Sequence, residues 1–291
     1  MNKAINTSGM TMGPPESSVV VTDYGRDYYD EYGRLGPSVY ARDNPKWLQF
    51  FGRIADELVR RLNPRTVLDV GCAKGFLVES LRDRGVEAYG VDISEYAIQE
   101  VRSDIRPYCT VGSAINFIKR DYDLITCIEV CEHMREAEVQ ETLRQLTAHS
   151  DTVLFSSTPS NFAEPTHINV HPIIDWLRLF GQFSFAADES FDTSFFAHQA
   201  ILFRRVGTLP SDQSLCHFAH LKTRAVVEAE TPGAGEAVMM RRELEAIYSS
   251  TGWKLLAFCR DLRFRVKHPL AQGITKVIGL AQHGKPSRRL P

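Results

Sequence analysis

The sequence predicts an α/β chain: a doubly wound, mainly parallel sheet with an antiparallel last strand, plus a C-terminal helical extension. Three observations predict it. Short apolar runs alternate with segments whose apolar residues recur at helical spacing, the runs are too continuously apolar to leave one face wet, and the first of them ends in a glycine-bearing turn. Alternation of this kind implies right-handed crossovers and a sheet covered on both faces. The 291 residues, 43% hydrophobic and 24% charged, suffice for one such domain with extensions.

The elements follow in order. Residues 1–22 are polar and read as a disordered lead-in without the apolar stretch of a secretory signal. Tyr24 to Tyr40, rich in Tyr, Gly and Asp, reads as an ordered functional loop more than a helix. A helix is expected over 45–62, where Pro45 suits the first turn and Trp47, Phe51, Ile54 and Leu58 share a face. Strands are expected over 66–70, 88–91, 108–111, 122–128, 152–157 and 200–205. Helices are expected over 75–84, 94–101 (with Ser94 as N-cap), 134–149 and 171–180. The folded domain thus runs over 23–206. Scattered Pro, Gly and Ser make 207–240 a linker or irregular lobe, and 241–291 a helical extension with a basic tail.

Composition narrows the function. A net charge of −2 excludes whole-protein attraction to nucleic acid or membrane. No apolar run approaches the roughly 20 residues that span a bilayer. The six cysteines form no CxxC pair, and four fall in or beside expected core elements, as for reduced thiols of a cytoplasmic protein.

The first strand ends in Asp69-Val70-Gly71-Cys72-Ala73-Lys74-Gly75, and the second in Asp92, roughly 20 residues on. Glycine lets backbone N–H groups approach a ligand, and a carboxylate at Asp92 can accept both hydroxyls of a ribose. A dinucleotide fingerprint would place glycine at 71, 73 and 76, where the chain has Gly71, Ala73 and Phe76. Two of the three glycines are missing, which disfavours a pyrophosphate.

An acid two residues before the first glycine, with another glycine at the fifth loop position, resembles motif I of the class I methyltransferases, and Ala73 departs from the commoner glycine there. The resemblance implies a Rossmann-like fold and S-adenosyl-L-methionine as cofactor. Asp69, Gly71, Cys72 and Gly75 would shape the methionine end and Asp92 would hold the ribose. Ile93 and Ser113, with Ala114, would flank the adenine. For Ile93 and Ala114 plain core packing is the competing reading.

The fourth strand runs into Glu129-Val130-Cys131-Glu132-His133. This ExxEH pattern resembles that of ubiquinone-type O-methyltransferases and of the methyltransferases of small-RNA 3′ ends. In the latter, such residues and a later histidine bind a divalent metal. The resemblance implies Mg²⁺ or Mn²⁺ on Glu129, Glu132, His133 and His167, with His171 the other candidate for the last place. In a second reading no metal binds, and Glu132 and His133 cap the next helix and hold the cofactor loop. His133 is the expected base for the acceptor hydroxyl.

Several stretches together resemble methyltransferases of bacterial cell-surface polysaccharide biosynthesis: Gly36-Pro37 with Tyr40, Trp47 to Phe51, Leu81 to Ala88, Asp92 to Ile98, Ser156 to Pro159, Glu164 to Val170 and Glu243 to Leu255. They imply a glycan or a nucleotide- or lipid-linked sugar as acceptor, with glycosyltransferases as partners. The tail from Arg260 is basic, with Asp261 its one acid, and Leu255, Cys259, Leu262 and Val266 share a helical face. Such a helix can lie on an anionic membrane or pack on the domain. Methylation of a small molecule or of RNA competes with the glycan reading, although the core shows no aromatic and basic strip for RNA. A non-catalytic cofactor-binding scaffold is the alternative outside enzymology.

Overall fold

The computed structural model describes residues 24–230 except 32–33, 36–37 and 117. The expectations for the lead-in and for the helical extension with its basic tail over 241–291 lie outside these residues.

The chain enters through α1 (Arg26–Glu31) and a short antiparallel pair, β1 (Arg34–Leu35) and β2 (Ser38–Val39). The stretch expected as a loop therefore holds one short helix. α2 (Pro45–Leu62) starts where Asn44 accepts the Lys46 N–H with Pro45 in the first turn, and it stops at Asn63 in a left-handed conformation, φ 44°. The alternating region follows as β3 (Thr66–Val70), α3 (Phe76–Arg82), β4 (Glu87–Asp92), α4 (Glu95–Gln99), β5 (Cys109–Val111), β6 (Leu124–Ile128), α5 (Glu136–His149), β7 (Thr152–Ser156), α6 (Ile173–Gly181), β8 (Phe185–Ala187) and β9 (Ile201–Arg205). Ser94 caps α4 as expected, its hydroxyl accepting the Ala97 N–H. Two single 3₁₀ turns, Arg106–Tyr108 and Cys131–His133, precede β5 and α5.

The seven-stranded sheet has the order β5-β4-β3-β6-β7-β9-β8. β3, β4, β5, β6 and β7 pair in parallel, while β9 runs antiparallel to both β7 and β8. This is the predicted doubly wound, Rossmann-like sheet. Its direction of winding switches between β3 and β6, where such sheets open a crevice at their carboxyl ends. One face is covered by α2 and α3 through Ile54, Leu58, Leu77 and Leu81. The other is covered by α5 and α6 through Leu143, Leu146, Trp176 and Phe180, with Phe180 stacked on Phe203 at 3.8 Å between centroids.

Two further elements differ from expectation. β8 is three residues long, too short to show a period. The supposed linker or irregular lobe over 207–240 is, through most of its described part, the helix α7 (Asp212–Glu230). No proline falls inside it, and Ala219, Thr223, Val226 and Val227 bury one face beside α6. No helix among the described residues is long and apolar enough to cross a membrane.

Candidate functional site

A cavity of about 560 Å³ opens at the carboxyl ends of β3, β4 and β6. The loop after β3 shapes its floor. Gly71 has φ 76°, and a Cβ there would stand 2.2 Å from Val130 Cγ2, so glycine alone lets this loop pack on the segment after β6. Ala73 also adopts a left-handed conformation, φ 47°, and its N–H donates to Asp92 Oδ2 at 2.8 Å. Ser94 N–H donates to the other Asp92 oxygen at 2.8 Å. The Asp92 carboxylate is thereby aimed into the cavity by two backbone donors. Burial raises its pKa while those two bonds oppose the rise. Asp69 is buried under the loop, accepts the Thr126 hydroxyl at 2.6 Å, and is pushed up to about 7, chiefly by burial.

Of the residues expected at the cofactor, Asp69, Gly71, Cys72, Asp92, Ile93 and Ser113 line this cavity. Gly75 does not. It turns the chain into α3 with φ 70°, facing Val101 and Cys109. Ile93 is 62% exposed, so the simple core-packing reading does not describe it, whereas Ala114 is buried. Cys72, Cys109, Cys127 and Cys131 are free and buried. Much of the remaining lining is aromatic: Tyr24, Tyr28, Tyr29, Tyr40, Trp47 and Phe51.

The acidic and imidazole cluster closes the end beyond β6. Glu129, left-handed at φ 52°, lines the cavity and accepts Gln199 Nε2–H at 3.2 Å. Glu132 is fully buried. Its Oε1 accepts the Thr158 N–H at 3.4 Å, and its Oε2 has no hydrogen-bond partner. Burial, and then the neighbouring Glu129, push its pKa well up. His133 lines the cavity with Nδ1 3.3 Å from the Thr166 carbonyl oxygen, which places the proton on Nδ1 and leaves the Nε2 lone pair available. Burial, and then His167, lower its pKa to about 4, so the ring is neutral.

His167 packs edge-on to His133, 4.7 Å between centroids. Its Nδ1–H donates to the Asn161 carbonyl at 2.7 Å and its Nε2 lies 3.1 Å from Glu164 Oε2. Burial disfavours its charge, yet the Glu164 and Asn161 bonds outweigh that and raise the pKa. Glu132, His133 and His167 offer ligand atoms that all lie within 4.8 Å of one another. Glu129 stands outside that trio but beside Glu132. His171 is elsewhere, bonded to Glu136 at 3.1 Å.

The cluster fits a divalent cation. The orphaned Oε2 of Glu132 and the open Nε2 of His133 are two lone-pair donors in want of a partner, and His167 Nε2 would join them by leaving Glu164. Carboxylate with imidazole suits Mn²⁺ better than Mg²⁺. The sequence assigns no site role to Glu164 or Gln199 and marks Tyr24 and Tyr28 only as part of a functional loop. Glu164 alone gave a local signal, three residues before His167; the others reach the site through tertiary contacts.

A family model described as a methyltransferase domain matches residues 40–207. The ubiquinone biosynthesis O-methyltransferase of Nitrosomonas europaea is 30% identical over 118 residues, covering 36% of this chain and 49% of that protein. That of Alkalilimnicola ehrlichii is 32% identical over 110 residues, covering 34% and 44%. The chain spans about half the length of the curated relatives it matches. Among solved structures, magnesium protoporphyrin IX methyltransferase from Synechocystis PCC 6803 with bound SAH has a TM-score of 0.48 at 19% identity, covering 62% of this chain and 98% of that one. The methyltransferase domain of bacterial CtHen1-C has a TM-score of 0.42 at 21% identity, covering 57% and 100%. With the family match spanning more than half of its length, the chain belongs to the methyltransferase-domain family.

Proposed function

We propose that the protein is an S-adenosylmethionine-dependent O-methyltransferase acting on a sugar hydroxyl of a glycan or glycan precursor. One observation carries the reading: a single cavity joins a carboxylate suited to a ribose, Asp92, to an imidazole with an open Nε2, His133. Bound adenosylmethionine would supply an activated methyl on a sulfonium, and transfer to oxygen would leave a neutral thioether.

The chain's own residues then divide the work. Asp92 accepts the ribose hydroxyls on the lone pairs its backbone donors leave free. Ile93 and Ser113 bound the adenine end, and Asp69 and Gly71 the methionine end. His133 Nε2 takes the acceptor's hydroxyl proton. The low basicity of this imidazole is sufficient when the proton leaves late, because a methylated oxonium is a far stronger acid than an alcohol. Glu129, with no hydrogen to donate when ionised, orients the acceptor by accepting from a second hydroxyl. A cation on Glu132, His133 and His167 would occupy that same Nε2 lone pair, so with a cation bound its Lewis acidity toward the acceptor oxygen would take the place of His133 as base.

A second reading has its own observation. Trp47, Phe50, Phe51 and Phe196 also line the cavity, and the curated relatives named above are ubiquinone biosynthesis O-methyltransferases. These favour an aromatic small-molecule acceptor. Turnover assays that follow S-adenosylhomocysteine release with sugar diols and with catechols separate the two. Release with sugars alone supports the glycan reading, and release with catechols alone overturns it. Cofactor binding without turnover on either class indicates a scaffold.

A further inference from the structure

Helix α1 touches both ends of the cavity. Two residues before it, the Tyr24 carbonyl accepts the Ser94 hydroxyl at 2.6 Å, and the same serine donates its N–H to Asp92. Further along, the Tyr28 hydroxyl reaches Glu164 Oε1 at 3.4 Å. Thr166 Oγ1 donates to that oxygen at 2.7 Å, and the other Glu164 oxygen holds His167 Nε2 at 3.1 Å. The Tyr24 and Tyr28 rings stand edge-on to His133, 5.8 and 6.2 Å between centroids. Lys74, on the loop after β3, places its ammonium over Tyr29 at 5.3 Å. The short segment formed by Tyr24 and α1 is thus wired to the residue for the ribose, to the cofactor loop and to the carboxylate that aligns the second imidazole.

We propose that α1 couples cofactor binding to the alignment of the His133–His167 pair, with Tyr28 and Glu164 as its positioning residues. This rests on the adenosylmethionine reading above. The physical reason is geometric. A hydrogen bond to a carboxylate holds only when its donor is fixed, and Tyr28 is fixed by α1. α1 in turn is anchored through Ser94 to the acid that the ribose would engage. A ligand that orders Asp92 and Ser94 strengthens the Tyr24 anchor, and with it the Tyr28 contact to Glu164. Neither Tyr28 nor Glu164 takes part in proton transfer. They set where His167 stands, and so the face that His133 presents to the acceptor.

Amide hydrogen exchange, with and without S-adenosylhomocysteine as the probe, tests this on the full chain without an acceptor. In the native protein the ligand slows exchange both in α1 and in the 161–167 segment. Tyr28→Phe keeps the ring and removes only the hydroxyl. It should retain the ligand-induced slowing in α1 and lose that of 161–167, by about tenfold for one hydrogen bond to a charged group. Glu164→Gln, with a second route to the same loss, guards against a misfolded single variant. A merely structural contact would loosen 161–167 equally with and without ligand and leave the difference intact. That outcome overturns the coupling alone. If the native protein does not bind S-adenosylhomocysteine, the cofactor reading falls and the coupling falls with it.

Discussion

Ala73 donates its N–H to Asp92 Oδ2 at 2.8 Å from a left-handed backbone conformation, φ 47°. The side chain is therefore in the wrong place for its backbone, and what holds it is the bond to the acid that faces the cavity. This explains why glycine suits the position in loops of this shape. An alanine there carries a steric penalty of roughly 1–2 kcal/mol, part of which glycine gives back as chain entropy. Ala73→Gly should raise stability by about 0.5–1 kcal/mol and the melting temperature by a few degrees. Thermal unfolding checks it, and a fall in Tm contradicts the strain.

The buried Asp69 gives a pH dependence. Its folded pKa of about 7 lies above the ordinary value of 3.8, because burial favours the neutral acid. The folded state therefore holds this proton more tightly than the unfolded chain. The stabilisation is fully present below about pH 4 and is lost as pH rises toward 7, at about 1.4 kcal/mol per unit. Asp69→Asn keeps an oxygen for the Thr126 hydroxyl and removes the titration. The native protein should lose stability relative to this variant between pH 4 and 7, measured by urea unfolding. A difference that is flat in pH contradicts the assignment.

Much of this was legible in the sequence because it is local. Pro45 to Leu62 repeats at helical spacing, and short, largely apolar runs mark most strands from Thr66 to Phe155, so the pattern within each segment found them. Asp69, Gly71 and Asp92 sit at strand ends, where spacing alone puts them together. What escaped detection is non-local. β8 has three residues and exists through its pairing with β9. α7 carries a modest apolar stripe that acquires meaning only against α6. Glu164 meets Tyr28 across 136 residues, and Gln199 meets Glu129 across 70. No pattern within one segment encodes such pairs.

His133 is the most direct handle on the chemistry. His133→Ala should lower turnover by roughly 10²–10⁴-fold while leaving adenosylmethionine affinity nearly unchanged, as expected for a positioned proton acceptor. Steady-state rates together with calorimetry check it. Equal losses in rate and in cofactor binding would make His133 a binding residue instead.

The trio Glu132, His133 and His167 predicts a metal dependence that is separable from cofactor binding. EDTA should suppress turnover with adenosylmethionine affinity kept, Mn²⁺ should restore it, and His167→Ala should raise the Mn²⁺ concentration required. Full turnover in metal-free buffer contradicts a cation at this cluster and leaves His133 as the base, with the glutamates in support.

The claim on which the rest depends is that the cavity at the carboxyl ends of β3 and β4 takes adenosylmethionine, with Asp92 on its ribose. Calorimetric titration of adenosylmethionine into the native protein and into Asp92→Ala and Asp92→Asn tests it most directly. A hydrogen bond to a charged group is worth roughly 1.5–3 kcal/mol, so one-to-one binding should weaken about tenfold to hundredfold in Asp92→Ala. Asp92→Asn, which still accepts from a backbone N–H, should keep the fold and bind at an intermediate level. Unchanged affinity in both folded variants, or no binding to the native protein, would contradict the account.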